Sequence, residues 1–254
     1  LGWALFWMVV HSPSRHKHIS KREYDYIEQN GALVNLDRPA AAAQPIRWSA
    51  VGQLLANRML LGIYLAQYCI TAMTYFFATW FPIYLVKARG LSITQAGFAA
   101  AAPAIAGFVG GVLGGILSDM LLRKNLSLSL SRKIPIVVGL VISCAILLCN
   151  FTESQTMVLV FMAVAFFGKG VASLGWAVMS DAAPREATGL SGSIFNLFGN
   201  AAGIFTPIAI AYILNATGNN WDMALLFVFA HSIVAMVSYL FIAGEIKRVV
   251  LRPI

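Results

Sequence analysis

Long uncharged stretches, separated by short polar connections, make up most of the chain after residue 58. A helix of about 20 apolar residues is long enough to cross the hydrocarbon core of a bilayer. The stretches that reach this length are Met59 to Val86, Gly90 to Ser118, Ile134 to Thr152, Phe161 to Ser180 with an extension back to about Ser154, Ala187 to Asn215, and Met223 to Gly244. The pattern predicts an all-α membrane protein whose six-helix transmembrane domain covers residues 59–246.

The residues before this domain divide into two further segments. Residues 1–10 are apolar but only half as long as a membrane span, so we interpret them as the end of a transmembrane helix from a missing N-terminal half. Residues 11–58 are polar, and Ser20 and Glu23 have the spacing of a capping box, which predicts a surface helix over about Lys21 to Gln29. Six spans after a long basic loop are typical of the second half of a transporter, in which they form two inverted three-helix repeats.

Basic residues lie mainly on one side of the predicted membrane domain. With 59% hydrophobic and 11% charged residues, the composition is that of an integral membrane protein, and the net charge of +8 comes from short clusters between the spans. The central loop at 11–58 and the tail at 247–254 fall on the basic side, whereas the loops on the other side hold only Lys87 and Arg89. This asymmetry predicts a cytoplasmic loop and a cytoplasmic C-terminus, and it gives no reason to expect nucleic-acid binding.

One charged side chain, Lys169, lies within a predicted span. Ser173 and Trp176 follow it at i+4 and i+7, so a continuous helix would place an ammonium, a hydroxyl and an indole on one face. A cation in hydrocarbon is costly and usually faces a partner in the protein interior. Because the acidic residues all fall in loops or at helix ends, the counter-charge comes from a substrate, from missing sequence, or not at all if the lysine is neutral.

Two further polar faces lie at membrane depth. Gln67 and Thr71, followed by either Thr74 or Tyr75, recur at helical spacing in the first span. The fifth span carries a second such face, formed by Asn196, Asn200 and Gly203. Together with Lys169 these faces predict a ligand cavity, although polar side chains in spans also serve only to bond neighbouring helices.

Glycines recur at helical spacing in the second span. Gly107, Gly111 and Gly115 are separated by four residues each and therefore share one face of a helix. Rows of small residues let two membrane helices approach closely. We predict a packing stripe along these three glycines.

A charged pattern follows the second span. Asp119 comes four residues after Gly115, and Arg123 and Lys124 follow shortly afterwards. The arrangement resembles the loop signature of the major facilitator superfamily, in which a glycine, an aspartate and nearby basic residues hold helix ends together while the halves of the transporter rock. We predict a conformational latch formed by Gly115, Asp119 and Arg123. The alternative is a charged helix end that only fixes topology.

Other candidate chemistry favours neither a metal site nor catalysis. The cysteines fall in apolar segments without metal-ligand spacing, and the loop histidines His11, His16 and His18 have no carboxylate partners at ligand spacing. His231 lies in the middle of the last span, where a packing role is favoured over proton relay. An enzyme would need a partner acid, a metal cluster or a nucleophile motif beside Lys169, and the sequence contains none of these patterns.

Nearly the whole chain resembles one family of bacterial transporters. The likeness is carried by IYLAQYCITAMTYFFATWFPIYLVKARG, AFFGKGVASLGWAVMSDAAPRE and GLSGSIFNLFGNAAGIFTPIAI, together with YIEQNGAL in the central loop. These segments closely resemble the C-terminal half of glucarate/galactarate transporters, in the anion:cation symporter group of the major facilitator superfamily. The resemblance implies a monomeric, proton-coupled symporter that imports hexarate diacids across the inner membrane by alternating access. Its partners would be the diacid, protons, the lipid bilayer and the missing N-terminal half, with the proton gradient as energy source and no cofactor.

The resemblance also implies a set of site residues. In related sugar-acid symporters, the positions that match Gln67, Ser173, Trp176 and Asn196 line the substrate site. We predict that Lys169 receives the second carboxylate of a diacid, while Trp176 forms a flat wall. The full predicted substrate-binding set is Lys169, Gln67, Ser173, Trp176, Asn196, Asn200 and Tyr75. Transport of a monocarboxylate such as a hexuronate or an aldonate is the alternative, and a membrane-embedded enzyme is a remote one.

Overall fold

The computed structural model describes residues 2–3, 6, 10–11, 13–16, 18–29 and 48–252. The predicted helix end at residues 1–10 therefore lies largely outside the described residues, as do positions 30–47 of the central loop and 253–254 of the tail. The chain divides into two compact units, residues 1–47 and 48–254. In the first unit, helix α1 (Lys21–Gln29) has the predicted bounds, and Ser20 Oγ accepts a hydrogen bond from the Glu23 amide at 3.1 Å.

The second unit is built from helices that match the predicted spans. A short helix, α2 (Trp48–Ala56), comes first. Within the described residues, six helices are long and apolar enough to cross a membrane, which confirms the predicted all-α membrane domain. They are α3 (Arg58–Lys87), α4 (Ile93–Arg123), α5 (Leu128–Phe151), α6 (Gln155–Ala182), α7 (Arg185–Ala216) and α8 (Trp221–Ile242).

The domain begins earlier than the first membrane span. α2 lies inside the segment that the sequence predicts as central loop, yet its Leu54 is fully buried in the same hydrophobic cluster as Leu60 and Ile63 of α3. Because burial of an apolar side chain stabilises the fold, α2 belongs to the compact unit rather than to a separate loop.

Polar residues just before the spans set where most of them begin. A side-chain oxygen at each of these positions accepts a backbone N–H from the first turn, which satisfies one of the donors that a helix start leaves free. These caps are Asn57 for α3, Ser92 for α4, Ser127 for α5, Ser154 for α6 and Asn220 for α8. At α4 the cap is reciprocal, because the Gln95 side chain also accepts the Ser92 amide at 3.0 Å.

Spans α3 and α5 each contain a segment that is not α-helical. A π-helical turn, Phe76–Trp80, interrupts α3 directly before Pro82. Proline has no amide hydrogen and its ring collides with the carbonyl one turn earlier, so the irregularity lies on the N-terminal side of the proline. α5 ends in a 3-10 helix over Cys144–Phe151.

The most consequential irregularity is a break in α6. The sequence predicts one continuous helix over Phe161–Ser180, but the structure has two segments, Gln155–Val171 and Gly175–Ala182, joined by Ala172–Leu174. The prediction of continuity is wrong because glycines have low helix propensity and because a serine hydroxyl competes for a helix carbonyl at this point.

Helices α4 and α6 contact each other backbone to backbone. A Cβ atom on Gly110 would collide with the carbonyl oxygen of Phe167, and one on Gly114 would collide with that of Val171. The predicted stripe is therefore partly wrong: Gly107 lies against α6 as predicted, but the contact continues through Gly110 and Gly114, whereas Gly115 faces open space. Both sets of glycines have i+4 spacing, so the spacing alone does not show which set faces the neighbouring helix.

We predict that Gly110→Ala destabilises the protein, because the added methyl group must push α4 away from the Phe167 carbonyl. Overpacking of this kind costs about 1–3 kcal/mol. The matched control is Gly111→Ala on the same helix, where the nearest atom to the new Cβ is 3.9 Å away. Thermal unfolding of the purified variants checks the difference; an equal melting temperature for both would contradict the close contact.

Candidate functional site

The amide of Gln67 lies where α3, α6 and α7 meet. Its Nε2 donates a hydrogen bond to Thr71 Oγ1 at 3.1 Å on the same helix. A Cβ on Gly175, the first residue of the second α6 segment, would lie 2.5 Å from Gln67 Oε1. One on Gly199 of α7 would lie 3.3 Å from Nε2. The amide therefore fills the space that these two glycines leave open beside the break in α6.

Trp176 forms an aromatic pair beside this amide. Its ring packs edge to face on Phe195 of α7 with centroids 4.9 Å apart, and 54% of the tryptophan is exposed. Phe195 is fully buried, and a Cβ on Gly175 would come within 2.8 Å of its ring, so Phe195 links Trp176 to the Gln67 region. Sequence reasoning missed Phe195 because a phenylalanine in a membrane span carries no pattern that separates it from ordinary packing residues.

Tyr75 joins the same junction two turns further along α3. A Cβ on Gly203 of α7 would collide with the Tyr75 ring, so the ring lies directly against the α7 backbone. The sequence left open whether Thr74 or Tyr75 continues the polar face. The hydroxyl of Thr74 donates to the Ile70 carbonyl at 3.1 Å, which leaves Tyr75 as the residue that contacts α7.

Asn196 and Asn200 lie on an exposed face of α7. Asn200 Nδ2 donates to the Asn196 carbonyl oxygen at 2.9 Å, so one amide is bonded to its own helix. Within the described part of the chain, no bond joins either side chain to Gln67 or Trp176. The structure therefore brings Gln67, Trp176 and Tyr75 together at α7 and places Asn196 and Asn200 on the outside of this junction.

Lys169 points toward another neighbour. Its Nζ atom lies 5.2 Å from the centroid of the Phe166 ring, a cation–π distance. The Phe166 ring in turn packs on Phe77 of α3 with centroids 4.2 Å apart, and it lies against Gly107 of α4. No carboxylate pairs with Lys169 in the ranges that the structure describes. The ammonium therefore lies beside an aromatic ring that packs on α3 and α4.

Ser173 does not continue a straight polar line from Lys169. It lies within the break, and its hydroxyl donates to the Lys169 carbonyl oxygen at 2.9 Å. Since Trp176 belongs to the next helical segment, the predicted i, i+4, i+7 face is interrupted at its middle member. The side chain is exposed, so its oxygen still has lone pairs free to accept a second hydrogen bond.

A charged network joins three helix ends on the basic side of the domain. Arg132 of α5 donates through Nε to Asp181 Oδ2 of α6 at 2.8 Å and through Nη1 to the Ser118 hydroxyl of α4 at 2.9 Å. Its Nη1 also lies 3.6 Å from Asp119 Oδ1. Only 14% of the Arg132 side chain is exposed, whereas the Asp119 side chain is 67% exposed. The guanidinium thus ties α4 and α6 to α5 through charge-assisted hydrogen bonds.

This network differs from the predicted latch in its basic member. The predicted latch has Arg123 as its basic residue, whereas the structure pairs the Asp119 carboxylate with Arg132 and leaves Arg123 exposed in the last turn of α4. Fourteen sequence positions separate Ser118 from Arg132, so local spacing could not identify the contact. Gly115 contacts nothing through its Cβ direction, so its contribution to a latch stays a prediction.

We predict that Arg132→Gln destabilises the protein by about 2 kcal/mol, because hydrogen bonds to charged groups are lost and Asp181 is left half-buried without its cation. Arg123→Gln is the matched control, since it removes the same charge from the exposed end of α4. Thermal unfolding compares the two variants. If Arg123→Gln lowered the melting temperature as much as Arg132→Gln, the assignment of the network to Arg132 would be wrong.

Known proteins resemble this chain over nearly its entire length. It is 50% identical to the probable galactarate/D-glucarate transporter GudP of Escherichia coli strain K12 over 255 residues, which cover 99% of this chain and 56% of that protein. It is 53% identical to the GudP of Bacillus subtilis strain 168, with 98% and 55% covered. The D-galactonate transporter of Escherichia coli O6:H1 is 40% identical, with 97% and 57% covered.

These matches also define what part of such proteins the chain represents. The chain spans about half the length of the curated relatives it matches. Residues 1–131 match the family model described as Major Facilitator Superfamily, which is just over half of the chain. Together with the six apolar helices, this match shows that the chain is a multi-pass membrane protein and belongs to the Major Facilitator Superfamily.

Proposed function

We propose that this chain forms one six-helix half of a transporter that carries galactarate and D-glucarate across the membrane by alternating access. One observation carries the proposal: 50% and 53% identity, over nearly the whole chain, to two proteins named as probable transporters of these diacids. The other half is expected from residues that precede this chain in the full-length protein. Substrate sites of such folds lie between the two halves, near the middle of the bilayer.

The junction of α3, α6 and α7 supports this proposal through its chemistry. A hexarate carries four hydroxyl groups on an extended carbon chain, and Gln67 offers both a donor and an acceptor for them. Trp176 is 54% exposed beside the amide and offers a flat apolar surface for the C–H groups of the same molecule. The free hydroxyl lone pairs of Ser173 and the exposed amides of Asn196 and Asn200 complete the set that we propose for hydroxyl recognition.

Lys169 is the residue that we propose for a carboxylate of the diacid. No carboxylate pairs with its ammonium among the described residues, and Nζ lies 5.2 Å from the centroid of the Phe166 ring. A cation at this depth is stabilised when an anion joins it. The lysine side chain is long and flexible, so its ammonium can turn from Phe166 toward the Gln67 junction without moving the backbone. Proton coupling would then require acidic groups outside this chain's spans.

Transport of a monocarboxylate is the second candidate function. The observation that favours it is the 40% identity to a D-galactonate transporter, whose named substrate has one carboxylate. The two candidates share the hydroxyl-reading residues and differ in the need for a second cation. Substitution of Lys169 therefore distinguishes the two candidate functions.

The location follows from charge. We propose that the chain lies in a bacterial inner membrane with its C-terminus in the cytoplasm. The loop between α4 and α5 and the tail after α8 are basic, whereas Lys87 and Arg89 are the only basic residues in the connections on the opposite side. We also propose that the transporter is monomeric and that protons drive the uptake.

We predict that Lys169→Asn in the full-length transporter lowers galactarate uptake at least tenfold and changes galactonate uptake less than about twofold. A tenfold change corresponds to about 1.4 kcal/mol, which is a modest value for one charge-assisted contact. Counterflow of each labelled substrate in proteoliposomes measures both rates.

Lys124→Asn in the exposed loop after α4 is the control for charge removal, and it should leave both rates within twofold of the parent. Equal losses of galactarate and galactonate uptake in Lys169→Asn would refute the assignment of this lysine to the second carboxylate. Counterflow of neither substrate in the parent protein would refute the proposed function itself.

A further inference from the structure

A cleft of about 500 Å³ opens at the basic side of the domain, away from the Gln67 junction. It lies between the start of α3 and the end of α8, and the first residues of the tail form its third wall. Its lining comprises Asn57 to Met59, Phe241 to Glu245 and Lys247 to Val250. Because two membrane helices begin and end here, the cleft lies at the level where the bilayer meets water.

The tail wall is fixed in place. The amide of Ile246 donates to the Ser129 hydroxyl of α5 at 3.0 Å, and the amide of Val249 donates to the Ala182 carbonyl of α6 at 2.9 Å. Ile246 is 2% exposed and packs in the hydrophobic core. The tail therefore crosses the ends of other spans as an ordered segment. The two hydrogen bonds fix the backbone positions of the residues between Ile246 and Val249.

The cleft carries more positive than negative charge. Arg58, Lys247 and Arg248 line it, against the single carboxylate of Glu245. Arg58 Nη2 donates to the Phe241 carbonyl oxygen at 2.9 Å, which holds the guanidinium at the wall and leaves its other N–H groups for a further acceptor. Guanidinium and ammonium groups that line the same cleft can both donate hydrogen bonds to a phosphate.

The rim of the cleft is apolar. Phe241 is 67% exposed and Val250 is 83% exposed. Further exposed apolar side chains, Leu240 and Val237, precede Phe241 along α8, which is long and apolar enough to cross a membrane. A soluble anion would gain nothing from these groups, whereas the acyl chains of a lipid would cover them. Cations and exposed apolar groups side by side at an interface are the combination that an anionic phospholipid matches.

We infer that this cleft binds one anionic phospholipid, with its phosphate held by Arg58 and Lys247 and its acyl chains lying over Phe241. Bound there, the lipid touches α3, α8 and the tail at once. It would therefore stabilise the end of the bundle where these three segments meet.

The test uses the purified full-length protein and native mass spectrometry with added phosphatidylglycerol. The double variant Arg58→Gln/Lys247→Gln should bind phosphatidylglycerol at least fivefold more weakly than the parent. Arg123→Gln/Lys124→Gln removes the same charge from an exposed helix end on the same side and should stay within twofold. If the double variant does not fold, Lys247→Gln alone, at an exposed position, should weaken binding about fourfold, beyond the range allowed for the control.

A competition arm identifies the source of the phosphate. Glycerol 3-phosphate, which has no acyl chains, should fail to displace phosphatidylglycerol from the parent at a hundredfold excess. Displacement would overturn the lipid assignment in favour of a soluble anion. Equal losses of phosphatidylglycerol binding in the cleft variant and in the control variant, or no loss in either, would show that the cleft is not the binding site. Galactarate counterflow does not enter this test, so its outcome is independent of the proposed function.

Discussion

The arrangement of the domain depends on the close backbone contact that α6 makes with α4 and α5. A Cβ on Gly168 would lie 2.5 Å from the Gly139 carbonyl oxygen of α5, and one on Gly170 would collide with that of Gly107 in α4. Lys169 lies between these two glycines, so the backbone on both sides of it is fixed against a different helix. Its ammonium lies beside the ring of Phe166 on the same helix, and that ring packs on Phe77 of α3.

The same principle of small residues opposite large ones shapes the candidate site. α7 supplies glycines where α3 supplies Gln67 and Tyr75, and the second segment of α6 begins with a glycine against the same amide. A helix break at this point lets Trp176 take a direction that a continuous helix would not give it. The consequence is a polar junction beside an aromatic wall, with a cation one helix turn before the break. The same few glycines therefore determine both the close helix contacts and the positions of the polar side chains at the junction.

The sequence predicted the features that depend on local patterns. Six spans, their approximate bounds and the helix at Lys21–Gln29 follow from apolar length and from capping residues, because these forces act within a few residues. The Arg132 network and the role of Phe195 depend on contacts between distant segments, whereas the break at Ala172–Leu174 has local causes that a count of apolar residues does not register. Likewise, Gly110 and Gly114 make the closest contacts with α6 while Gly115 faces open space, and the spacing of the glycines does not show which of them face α6. Candidate site residues could be named from the sequence, but their grouping into one junction and one separate cation could not.

The central claim is that Lys169 is held ready for an anionic guest rather than for a protein carboxylate. The most direct measurement is an experimental structure of the full-length transporter with galactarate bound. The account predicts that Lys169 Nζ leaves the Phe166 ring and lies about 2.7–2.9 Å from a carboxylate oxygen of the diacid, with Gln67 on a hydroxyl. A bound diacid with both carboxylates satisfied elsewhere, and Lys169 still over Phe166, would contradict it.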